Sequence, residues 1–96
     1  MPDPTLLVLA SLAESDKHGY AIMEDIEHFA GFRIGPGTLY GAITRLEQRG
    51  WIRPVKSADD RRRPYTLSPD GRRYLEEQLS GLNQIVRTGL KRLKHA

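Results

Sequence analysis

Cysteine is absent from the 96 residues, and its absence removes several kinds of chemistry together. There is no disulfide scaffold, no thiolate metal ligand and no thiol nucleophile. Long apolar runs are missing as well, and nothing approaches the roughly 20 residues of a membrane-spanning helix. The opening stretch "MPDPTLLVLASLAES" carries an acid and prolines where a secretion signal would carry basic residues. A cytoplasmic protein with no membrane association is the expectation. His18, His28 and His95 fall at no metal-ligand spacing. No nucleophile comes with a base and an orienting acid, and no Gly-rich loop of the nucleotide-binding kind is present. No metal, cofactor or enzymatic activity is expected.

What is present describes an ordinary globular chain, 39% hydrophobic and 28% charged. At this length it forms one domain near the lower limit of independent folding, so a partner subunit would add usefully to a modest core. The net charge is only +3, but its distribution is uneven. Arg61, Arg62 and Arg63 are contiguous, and Arg72, Arg73, Arg87, Lys91, Arg92 and Lys94 load the C-terminal third. Such runs are often plain solvated surface, and charge alone does not name a partner.

Helical periodicity and end signals divide the chain. A first helix is expected over Thr5 to Ala13, apolar around most of its circumference. Ser15 or Asp16 can cap a second, from His18 to Ala30, with Ile22, Met23, Ile26 and Phe29 inward and Gly31 as the stop. A third begins at Pro36, where a missing N–H costs nothing, and ends at Gly50. "WIRPVKS" and "RRPYTL" read as the strands of a small hairpin turning at "ADDR", since Pro54 and Pro64 suit edge positions. Ser68, Pro69 and Asp70 then start a long helix. Along it Leu75, Leu79, Leu82, Val86 and Leu93 alternate at four- and three-residue spacing, with Gly89 filling a gap. The stripe can be monomer core, the wall of a pocket or a dimer seam; a seam accounts for its length best. The fold class is therefore mostly α with a small β-hairpin: a winged helix-turn-helix domain over 1–67 and a dimerisation helix over 68–96.

The third helix poses the functional question. Leu39, Ile43 and Leu46 hold it to a core, while Pro36, Gly37, Thr38, Tyr40, Thr44, Arg45 and Gln48 are left outside. Its first turn offers free backbone N–H groups and the positive end of the helix dipole, which suits phosphate. Arg45 and Gln48 are of the types that read guanine and adenine in the major groove, or else they pair with surface acids. The wing arginines either meet phosphates or are neutralised by Asp59 and Asp60. Two functions remain: binding of double-stranded DNA, or a winged-helix module for protein–protein contact.

Three stretches carry a family resemblance: "HGYAI" (18–22), "GPGTLYGAITRLEQRGWI" (35–52) and "RRRPYTLSPDGRR" (61–73). In this order and spacing the chain resembles the PadR family of bacterial transcriptional regulators from about Leu6 to Tyr74. The resemblance implies a homodimeric repressor whose third helix enters the major groove of a palindromic operator while the wing reaches the backbone or minor groove. It implies that Tyr20 and Tyr40 lie near phosphates and that Thr38 and Thr44 face DNA. The single C-terminal helix is similar to that of the short subclass, where it packs on the first helix of the other subunit. Leu6 and Leu9 would then join the seam. The chain departs from the family in having Gly35 where Ser often caps the third helix, and "DRRRPY" where many members show Gly-Arg-Pro-Arg-Lys-Tyr. Its only tryptophan, Trp51, is at the wing, not on the C-terminal helix as in drug-binding short members. A small effector is compatible with the fold, but no residue names one.

Overall fold

Asp3 starts the first helix. Its Oδ1 accepts from the Thr5 amide at 3.0 Å and the Thr5 hydroxyl at 2.8 Å, and Pro4 occupies the first helical position. In this computed structural model, which describes residues 2–56 and 63–95, α1 spans Pro4–Glu14, α2 Gly19–Ala30, α3 Pro36–Gln48 and α4 Pro69–Lys94. A hairpin of β1 (Ile52–Pro54) and β2 (Tyr65–Leu67) lies between α3 and α4. The expected "ADDR" turn, with Asp59, Asp60 and Arg61, and Arg62 at the start of the returning strand lie outside the described residues.

The second helix begins later than Ser15 or Asp16 would have it. Its cap is His18, whose Nδ1 accepts from the Ala21 amide at 3.3 Å. The reason is tertiary: Lys17 is drawn into an antiparallel bridge with Tyr65, so the chain stays extended until His18. Gly31 ends α2 at φ 79°. Gly50, at φ 73°, ends α3 with the Gly50 amide bonded to the Glu47 carbonyl and the Trp51 amide to that of Leu46, both at 3.0 Å. This pair of bonds uses carbonyls the helix leaves unpartnered.

α1 lies at the centre, against α2, α3, α4 and β2. The core joins Leu7, Val8, Leu9 and Leu12 of α1 to Ile22 and Ile26 of α2, and to Leu39, Ala42, Ile43 and Leu46 of α3. Ile34, Ile52 and Leu75 complete it. Phe29 is a correction: it is exposed. It sits in the last turn of α2, and Phe32 from the following loop packs against the core. The strands are also shorter than expected, paired as Ile52↔Leu67, Arg53↔Thr66 and Pro54↔Tyr65.

The fourth helix is tied to the end of the third. Ser68 caps it, accepting from the Gly71 amide at 3.1 Å and donating to the Gly50 carbonyl at 2.6 Å. A Cβ on Gly71 would stand 2.1 Å from the Trp51 carbonyl oxygen, so only glycine fits this approach. Trp51 and Tyr74 stack at 3.8 Å, 17° from parallel, and Arg49 lies over Trp51 at 5.2 Å. Leu75 belongs to the common core, so the first two turns of α4 pack against α1.

Beyond Leu75, α4 buries nothing. Leu79, Leu82, Ile85, Val86, Leu90 and Leu93 are between 44% and 75% exposed, so none of the other described residues covers them. Two residues assigned to a subunit seam are corrected here. Leu9 is fully enclosed and Leu75 nearly so, leaving neither with surface for a partner, whereas Leu6 is half-buried. Ile85 and Leu90, unmarked by the simple repeat, join the exposed apolar surface.

Candidate nucleic-acid interface

With Leu39, Ala42, Ile43 and Leu46 turned inward, the rest of α3 faces solvent. Pro36, Gly37, Thr38, Tyr40, Thr44, Arg45 and Gln48 are all exposed. Gly35 makes no side-chain cap, so the first-turn amides of Gly37 and Thr38 have no side-chain acceptor. A Cβ built on Gly37 meets nothing within 4 Å. The positive end of the helix is therefore open to an anion.

These side chains do not form one uniform patch. Tyr40 and Arg45 are five residues apart, which places them roughly 140° apart around the helix, on opposite flanks. Tyr40 leans on α2: a Cβ on Gly19 would fall 2.4 Å from its hydroxyl oxygen. The glycine between His18 and Tyr20 thus seats the ring of Tyr40, and exposed Tyr20 lies beside it in sequence. Arg45 occupies the other flank, where with Asp3, Thr5, Leu46, Arg49, Trp51 and Tyr74 it lines a cleft of about 280 Å³. Its Nη1 would be 3.6 Å from a Cβ on Gly41, so the guanidinium reaches back over the centre of the helix where a side chain is missing. Among the described residues neither Arg45 nor Gln48 makes an ion pair or side-chain hydrogen bond. Gly37, Gly41, Thr44 and Gln48 form the centre. The Thr44 hydroxyl donates to the Tyr40 carbonyl at 2.9 Å, which commits its proton and leaves it able to accept.

The wing adds charge on the Tyr40 side. Tyr65 is half-buried, and burial is the largest influence raising its phenol above the usual 10.0. Glu47 and Tyr40 push the same way and Arg63 opposes them. Glu47 and Tyr40 of α3 and exposed Arg63 thus all act on the phenol at the base of the wing. Arg61 and Arg62 lie outside the described residues. Exposed Arg53 and Lys56 extend the basic character of the wing and were not singled out from sequence. An arginine beside a proline in a three-residue strand carries little signal of its own. Gly19 was missed too, though its place in "HGY" was the available sign. Among the described residues no His, Asp or Glu group could hold a metal, and no helix is long and apolar enough to cross a membrane.

A short-looped helix pair whose second helix projects an open, polar, acid-poor centre, followed by a two-stranded wing, is a winged helix-turn-helix of the DNA-binding kind. The Transcriptional regulator PadR-like family matches residues 8–77. The chain belongs to that family and is a DNA-binding transcriptional regulator. It is 33% identical to the transcriptional regulator Rv3488 of Mycobacterium tuberculosis over 92 residues, covering 94% of this chain and 85% of that protein. It is also 43% identical over 83 residues to a 37.1 kDa protein in transposon Tn4556 of Streptomyces fradiae, covering 86% of this chain but only 24% of that longer protein. Among solved structures, a PadR family transcription regulator from Clostridium difficile R20291 superposes with a TM-score of 0.83 at 24% identity, over 94% of this chain and 97% of that one. A transcriptional regulator from Clostridium thermocellum gives 0.79 at 27% identity, over 92% and 87%.

Proposed function

We propose that the protein is a homodimeric repressor that sets two copies of α3 in successive major grooves of a palindromic operator. The open face of α3 carries this reading. Arg45 lies over side-chain-free Gly41 and makes no ion pair among the described residues, the Asp3 carboxylate of its cleft being bonded to Thr5; beside it are an accepting Thr44 and Gln48. In this reading Arg45 and Gln48 read base edges. The first-turn N–H groups of Gly37 and Thr38, behind Pro36 at the helix start, hold phosphates together with Tyr20 and Tyr40. Arg61, Arg62 and Arg63 on the wing add sequence-independent attraction. Two-fold symmetry in the operator asks for two-fold symmetry in the protein. The exposed stripe of α4 is the surface to supply it, since each large aliphatic side chain covered there contributes about 1.5–3 kcal/mol.

The test is a fluorescence titration against the DNA upstream of the protein's own gene, at several salt concentrations and beside a random duplex. Specific binding with log-linear salt dependence, at about −0.9 per phosphate contact, is the expected result. Equal, weak affinity for both duplexes defeats the operator reading. No salt dependence at all points to a protein partner for the α3 face.

A further inference from the structure

Lysine is seldom enclosed, because an ammonium taken from water must find other acceptors. The Lys17 side chain is nevertheless only 12% exposed, and acceptors surround its Nζ. It donates to the Ser11 carbonyl at 2.6 Å and to that of Ser15 at 3.5 Å, at the C-terminal end of α1 where carbonyls lack helical partners. Glu14 lies 3.2 Å away, and Asp25 of α2 lies at 3.8 Å. Asp25 is itself held by the buried Ser11 hydroxyl, which donates to it at 2.7 Å. The side chain therefore fastens the link between α1 and α2 to both helices. The backbone of the same residue faces the wing. Its N–H donates to the Tyr65 carbonyl at 3.2 Å, and its carbonyl accepts from the Tyr65 amide at 2.8 Å. Tyr65 is the first residue of β2, two positions after Arg63.

We infer that Lys17 is a positioning residue for DNA contact by the wing: its largely enclosed ammonium fixes the α1–α2 link, and the fixed link supplies the backbone pair from which β2 hangs. A two-stranded hairpin is marginal by itself, and an added bridge on the far side of β2 holds it at one height beside α3. Removing the ammonium leaves the α1 carbonyls without their donor and Asp25 without its cation. The pair with Tyr65 then opens more often, and the segment from Tyr65 back through Arg63 loses its set distance from α3.

Because this role presupposes that the wing meets DNA, the experiment has two arms. In the first, amide exchange is followed in the free protein with Lys17→Met. The Tyr65 amide should exchange roughly ten-fold faster while that of Ile43, in the core of α3, keeps its rate; Lys17→Arg should restore most of the protection. A change at both sites in parallel is general destabilisation and overturns the inference, as does an unchanged Tyr65 amide. In the second arm the salt dependence of operator binding is compared for Arg63→Ala, Lys17→Met and the double variant. Each single change should make the slope shallower by about one unit, and the double variant should be little worse than either. If Arg63→Ala lowers the slope and Lys17→Met does not, the positioning role fails. If Arg63→Ala itself has no effect, the wing reading fails, and the first arm judges the anchorage alone. Should Lys17→Met not fold, Asp25→Asn, which keeps an acceptor for Ser11, takes its place in both arms, with the same outcomes deciding.

Discussion

Two glycines of α4 should respond to alanine with opposite signs. Glycine inside a helix costs about 1 kcal/mol relative to alanine, so replacement stabilises wherever there is room. A Cβ on Gly81 meets nothing within 4 Å, and Gly81→Ala should gain most of that 1 kcal/mol. At Gly71 the new carbon would lie 2.1 Å from the Trp51 carbonyl oxygen, 2.9 Å from the Trp51 carbonyl carbon and 3.1 Å from the Leu67 Cδ1. Two of those three atoms are backbone, so the clash cannot be relieved by turning a side chain. The shift must open the approach of α4 to Trp51, and with it the Ser68 bond to the Gly50 carbonyl. Forcing a methyl into such a site costs typically 1–3 kcal/mol, and loss of that hydrogen bond adds about 1 kcal/mol. Against the helix gain of about 1 kcal/mol, the net loss for Gly71→Ala is about 1–3 kcal/mol. In a domain of this size each kcal/mol moves the melting point by about 4–8 °C. Urea and thermal melts at matched concentration would show it, and a neutral or stabilising Gly71→Ala refutes the packing described. A loss at Gly81 would mean that a second surface covers that side of α4.

Arg45→Ala should cost about 1–3 kcal/mol at the operator and far less on random duplex; equal losses on both make Arg45 a phosphate contact. Replacing Leu82 and Val86 together by Asp should produce monomers by sedimentation and a steep fall in operator affinity with α3 untouched. A wild-type chain that sediments as a monomer at tens of micromolar removes the dimer reading. The raised phenol of Tyr65 means that the folded state favours its neutral form. Its stabilising contribution is present below pH 10.0 and is lost as the pH rises through that value towards the folded pKa. Tyr65→Phe should accordingly lose less stability than wild type across that alkaline window. Parallel losses in denaturant titrations would show the phenol to be indifferent.

The elements that could be read from the sequence are those with local causes. Pro36 and Gly50 bound α3, Ser68 and Pro69 open α4, and Gly31 closes α2, because caps and φ preferences act within a few residues. Misplaced features have distant causes. Residues 15–18 look like a helix start with two good caps, yet Lys17 is held extended by Tyr65, far along the chain, and His18 becomes the cap. Periodicity showed Leu9 and Leu75 on apolar faces without saying whose core would cover them. Both lie within their own chain, while Ile85 and Leu90 remain outside. Of the interface, the residue types on α3 were legible, and so was their outward direction. Their division into a Tyr40 flank against Gly19 and an Arg45 flank against Trp51 was not, because it depends on what each flank meets.

The contact between Gly71 and Trp51 is also a mechanical joint. Trp51 follows directly on the end of α3, and Ser68, Gly71 and Tyr74 clamp the root of α4 against it. From that root α4 runs for 26 residues, a lever arm of roughly 39 Å. A tilt of about 10° at the root would swing its far end by roughly 7 Å, the rise of about two base pairs. In a two-fold pair joined along α4, the separation of the two reading helices is thus set as much by this joint as by the seam. In the proposed dimer Gly50, Trp51 and Gly71 would help set the spacing between operator halves, although none of them is among the residues proposed to meet DNA or the partner.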